Sequence, residues 1–89
     1  MFEVDWRDEA LNDLTETWLL ADSDGRQSIT AAVRQIDDLL ERDPLDTGEE
    51  REANYRIHFQ SPLVVIFEVF QIERQVSVVS VGPIRRRMP

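Results

Sequence analysis

The chain has 89 residues, 42% of them hydrophobic and 31% charged, which suits one domain with a single modest core and excludes a disordered or collagen-like chain. With no cysteine it has neither disulfides nor thiolate metal sites, and no apolar run approaches the length of a membrane span. A formal net charge of −8 argues against a surface given over to nucleic acid. The charge is unevenly placed, however. Residues 1–50 carry 4 Arg against 15 Asp and Glu, and residues 51–89 carry 6 Arg against 3 Glu, so the second half is locally basic. All of the basic residues are Arg, the side chain suited to bidentate phosphate contact.

Phe2-Glu3-Val4-Asp5-Trp6 alternates apolar and charged residues, as a short half-buried strand does. The acidic start has no signal-peptide pattern, so a cytoplasmic location is expected. Asp5 or Asp8 can cap a following helix, in which Leu11, Leu14, Trp18 and Ala21 form an apolar stripe at three- and four-residue steps. Trp6 and Trp18 are both expected in the core. Asp22-Ser23-Asp24-Gly25 combines a C-cap glycine with N-cap residues for a second helix. That helix carries Ile29, Ala32, Val33, Ile36, Leu39 and Leu40 on one face, with Arg34–Asp38 and Asp38–Arg42 spaced for ion pairs on the other. Asp43-Pro44 stops it. The two helices are expected to form an antiparallel hairpin sharing an apolar seam. A polar connector then runs through residues 44–53.

From residue 54 the sequence turns to strand. Tyr55 to Phe59, Leu63 to Phe70 and Val76 to Val81 are rich in β-branched and aromatic residues and are separated by turn residues, the first turn being Gln60-Ser61-Pro62, which reads as a three-stranded antiparallel meander. The class is therefore α+β, in the order β-α-α-β-β-β. The helical hairpin covers one face of a small sheet, and the first strand joins as an extra edge. The middle strand is apolar on both parities. Leu63, Val65, Phe67 and Val69 are expected to face the helices, leaving Val64, Ile66, Glu68 and Phe70 on the open face. In the preceding strand Tyr55, Ile57 and Phe59 are expected inward, with Arg56 and His58 outward beside them.

No phosphate loop, metal cluster or set nucleophile is present, and no cofactor is expected. The candidate chemistry lies on the sheet. Arg51, Arg56 and Arg85, Arg86 and Arg87 are placed to ring the open face, where His58 is either a general acid/base or a strand histidine without a role. Glu68 is either a lone charge that keeps a sticky strand from pairing with other chains or the partner of an Arg.

The order of these pieces resembles the RelE/ParE superfamily, the toxins of type II toxin–antitoxin systems. The resemblance rests on Asp8-Glu9-Ala10-Leu11-Asn12-Asp13-Leu14, on Ile29 to Ala32, Ile36 to Leu40 and Asp43-Pro44, and on Tyr55-Arg56-Ile57, Leu63 to Val69 and Arg74 to Val81. It implies helices on one face of the sheet, an active opposite face and a cognate antitoxin that wraps the body. Val64, Ile66, Glu68 and Phe70 would then receive a partner. A RelE-like activity would be a ribosome-dependent mRNA endonuclease with Arg56, His58 and Arg85 at the scissile phosphate and Arg51, Arg86 and Arg87 binding RNA. A ParE-like activity would be inhibition of DNA gyrase without chemistry, and a third form is a non-toxic binding module. The chain departs from the RelE pattern in having no Lys and a single tyrosine, Tyr55.

Overall fold

Alternation of Val4 and Trp6 with charged neighbours produces the first strand, β1 (Glu3–Trp6), in the computed structural model, which describes residues 1–84. Helix α1 (Asp8–Leu19) begins with two acidic residues, Asp8 and Glu9, that suit its positive end. Its inward face differs from the expected stripe. Ala10 is fully buried and Leu14 and Ala21 pack on the core, whereas Leu11 is 45% and Trp18 37% exposed. The small Ala10 lets the helix lie close on the sheet, and the bulkier side chains turn outward. Trp18 is thus not a core residue; its ring lies under the Arg26 guanidinium, 5.6 Å away.

Helix α2 (Ser23–Arg42) is capped by Asp22, whose Oδ1 accepts from Gly25 N at 2.8 Å. Gly25 therefore lies in the first turn of α2 and does not cap α1. The end of α1 is closed instead by Arg26, which donates to the carbonyls of Trp18 (2.9 Å) and Leu19 (3.4 Å). The face of α2 bearing Ile29, Ala32, Ile36 and Leu40 is buried as its spacing requires. Of the two expected helix-surface ion pairs Asp38–Arg42 forms. Asp37 also has a partner, since it accepts the Trp6 indole N–H at 2.7 Å and ties α2 to β1. The two helices touch each other and pack mainly on one face of the sheet, α1 against the strand at residues 75–83 and α2 against β1 and the strand at residues 55–60. Among the described residues no helix is long and apolar enough to cross a membrane.

The connector contains a 3-10 turn (Pro44–Asp46) and a two-residue strand, β2 (Glu49–Glu50), which its polar sequence conceals. The meander follows as β3 (Tyr55–Gln60), β4 (Leu63–Phe70) and β5 (Gln75–Pro83). The sheet runs β1-β5-β4-β3-β2, with β1 parallel to β5 and the remaining pairs antiparallel. Leu63, Val65, Phe67 and Val69 point to the helices together with Val76, Val78 and Val81, and all are essentially buried. Ile66 opposes Ser80 while Phe67 opposes Val78, so Val79 is an extra residue in β5 and the strand bulges there.

Gly48, at the entrance to β2, has φ +70, and a Cβ there would stand 2.2 Å from the backbone oxygen of Ile57. The backbone approaches β3 so closely that only glycine fits. Gly48→Ala will destabilise the fold by about 2 kcal/mol, from left-handed strain plus the clash, read as a lowered urea midpoint at unchanged slope.

Candidate functional site

Residues that face each other across an antiparallel pair lie on the same side of the sheet. In the β3–β4 ladder His58 opposes Val65, Arg56 opposes Phe67 and Gln60 opposes Leu63. Arg56 and His58 therefore share the helix side with the core residues, which corrects their expected place on the open face. Tyr55, Ile57 and Phe59 oppose Glu68, Ile66 and Val64 and lie on the open face instead.

On the helix side each polar residue of β3 is committed locally. Arg56 donates from Nε to Thr47 O at 2.9 Å and from a terminal nitrogen to Gly48 O at 3.1 Å. Thr47 is itself buried and bonds Asp43 O through its hydroxyl at 2.6 Å. Arg56 thereby fastens the connector to the sheet. Arg56→Ala will cost about 1–2 kcal/mol by leaving these carbonyls without their charged donor, checked by thermal or urea unfolding. His58 Nε2 lies 3.0 Å from Gln60 Oε1, and Gln60 passes the chain on to Gln35 of α2 at 2.6 Å. With an amide oxygen as acceptor Nε2 is the donor, and no carboxylate orients the ring. Glu68, opposite Tyr55, lies on the other side of the sheet from both residues. Its Oε1 accepts from Arg7 at 3.1 Å, with side chains 17% and 45% exposed respectively, so the Arg that it meets comes from the start of the chain.

The expected ring of Arg does not assemble among the described residues. Arg51 lies at the sheet margin, 3.8 Å from Glu49, and Arg74 stacks on the Phe2 ring at 4.6 Å. Arg85, Arg86 and Arg87 lie outside the described residues. The open face instead presents Tyr55, Ile57 and Phe59 beside Val64 and Ile66, with Phe70 at one end of β4 and Phe59 58% exposed. Its charge, Glu68, is neutralised by Arg7, and its two margins are acidic: Glu3 and Asp5 on β1, and Glu49 opposite Ile57. The face can bury apolar surface against a partner, and among the described residues it gathers no cluster of cations for a phosphate. The β3 aromatics and Arg7 escaped the sequence reading; the two-residue turn after Gln60 was the signal that would have found the former.

This strand order and its helix-covered face recur in solved structures. A chain of the chromosomal ParDE toxin–antitoxin system of P. aeruginosa superposes with a TM-score of 0.74 at 16% identity, covering 96% of this chain and 98% of that one. The chain has the RelE/ParE fold. A chain of the toxin–antitoxin complex RelBE2 of Mycobacterium tuberculosis also superposes at 0.74, with 20% identity over 93% of this chain and 91% of that one. The isolated E. coli RelE toxin matches at 0.66, with 19% identity over 98% and 88%. No protein-family model and no curated protein matches the sequence. Within the RelE/ParE fold, then, this chain has an apolar, acid-edged open face, and its two β3 residues of catalytic type are turned to the helices.

Proposed function

We propose that the chain is the toxin-like component of a type II toxin–antitoxin pair, and that it acts by gripping a protein target with its open sheet face. The register carrying Arg56 and His58 to the helix side supports this most directly, because among the described residues it turns the candidate acid/base and its neighbouring Arg away from the open face. Among the described residues the middle of this face is apolar, with Glu68 compensated by Arg7, a form suited to protein contact. Val64, Ile66, Glu68 and Phe70 are proposed contact residues, joined by Tyr55, Ile57 and Phe59. The fold likeness to chains of ParDE and RelBE2 systems supports a cognate antitoxin as the natural neutralising partner. Inhibition of DNA gyrase is the target activity consistent with a grip that needs no chemistry.

Induction in a bacterial host separates the readings. Wild type and His58→Ala will both arrest growth, purified protein will inhibit gyrase supercoiling, and message will stay intact. Message cut at the ribosome, with cutting lost in His58→Ala, would establish the endonuclease reading in its place. Normal growth under wild-type induction would leave the non-toxic binding module.

A further inference from the structure

On the helix side, away from the open sheet face, a cleft of about 570 Å³ separates the second half of α1 and the start of α2 from Pro62 and the end of β5. Its size falls within the range of about 300–1,000 Å³ typical of binding clefts. Ile29 and Val81 form part of its lining, each a core residue at 3–4% exposure, so the core comes to the surface here. Leu20 lines the α1 wall and is 84% exposed, with Leu19 beside it at 65%, which extends the apolar surface out of the cleft. Asp13 and Glu16 line the same wall. Asp13 reaches Val81 N at 3.5 Å, and among the described residues neither carboxylate has a cationic partner. Arg26, close by on α2, is held by the Trp18 ring and the α1 carbonyls.

The geometry points to this cleft as the seat of a basic, amphipathic segment of a partner protein: an apolar side chain set against Ile29, Val81 and Leu20, with flanking Arg or Lys on Asp13 and Glu16. Charge complementarity selects the occupant. An apolar anchor fits the lining, cations satisfy the two carboxylates, and phosphate is repelled by them. The partner of this chain is accordingly cationic where it crosses α1. The inference does not depend on what the open face grips, since the two surfaces lie on opposite sides of the sheet.

The test uses the full chain, isotopically labelled, and a short synthetic helical peptide with two Leu flanked by Arg. A control peptide carries Glu at the Arg positions. Amide shifts are expected at Asp13, Glu16, Ile29 and Val81 with the Arg peptide alone. Asp13→Asn combined with Glu16→Gln will weaken binding about tenfold at unchanged melting temperature, and added salt will weaken the wild-type complex. Leu20→Arg, at an exposed position that the fold tolerates, will also abolish the shifts. The proposal is overturned if the shifts map to Tyr55, Ile57 and Ile66, if both peptides bind alike, or if the double variant binds as wild type does. It is equally overturned if only a chain ending at Ile84 binds the peptide, because the occupant would then be the chain's own residues 85–89.

Discussion

On the proposed grip through the open face, a chain carrying Ile57→Arg and Ile66→Arg together will fold, yet its induction will leave growth normal where the proposed toxin arrests it. The two residues are direct cross-strand partners near the middle of the open face, and both are only partly buried in the free protein. In the isolated chain two Arg there remain solvated. Their mutual repulsion and the lost packing together amount to about 1 kcal/mol, a melting shift of a few degrees. Against a docked partner the same charges would be buried without counterions, at a cost of several kcal/mol, enough to lower affinity more than about a hundredfold. Growth curves paired with thermal melts provide the measurement. Persistent arrest in the folded double variant would show that the target is held elsewhere.

Phe67→Ala will have the largest effect on stability. Phe67 is fully buried in the central strand, opposite Arg56 on one side and Val78 on the other, at the point where β5 bulges. Truncating a buried phenylalanine costs about 3–5 kcal/mol, from lost transfer energy and the cavity left behind. Against the roughly 5–15 kcal/mol of a small domain this is a major fraction. Urea unfolding will show it as a midpoint displaced far below that of Arg56→Ala. An effect of less than about 1 kcal/mol would mean that the core closes over the gap.

Much of this architecture is legible in the sequence, because the meander strands have unbroken β-branched composition and α2 keeps one apolar face over its whole length. The inward parity of β4 follows from its buried neighbours and is as its spacing predicts. The β3 parity does not follow from composition. A rule that sends apolar residues inward assigns Tyr55, Ile57 and Phe59 to the helices, but β3 lies towards the sheet margin, where helix cover is thin. There Arg56, His58 and Gln60 fill the partly covered side through local hydrogen bonds. Turn length is the better guide. Only Ser61 and Pro62 separate Gln60 from Leu63, so these two oppose each other and must share a side. Once Leu63 is inward, Gln60, His58 and Arg56 are inward too. Two assignments that look independent are a single one, and the candidate site depended on treating them separately.

The first helix forms as expected, and Leu14 and Ala21 of its stripe pack on the core, but Leu11 and Trp18 do not. Its stripe of Leu11, Leu14 and Trp18 is a fair amphipathic pattern, but periodicity weighs side-chain size rather than the distance at which the helix docks. Ala10 at the contact brings α1 close to β5, and Leu11 and Trp18 turn away. Their exposure is what gives α1 an apolar outer surface beside the cleft. The connector hid β2 because its pairing depends on the backbone of Gly48 and on the bonds from Arg56, neither of which has a composition signature.

The parallel pairing of β1 with β5, Glu3 against Gln75 and Trp6 against Val78, sets the order in which the molecule can be completed. A ribosome releases β1 first and its hydrogen-bonding partner last, so the strand must wait, edge exposed, while both helices and the meander are made. Closing so long a loop is the slow kind of contact, and it gains nothing until β5 is already paired with β4. During synthesis α2 can hold the waiting segment through Trp6 and Asp37 and through the Phe2 amide on Glu41 O at 2.9 Å. Weakening that hold, with Trp6→Phe for instance, should therefore slow refolding more than its small equilibrium cost suggests. The sheet is finished last by the strand that is made first.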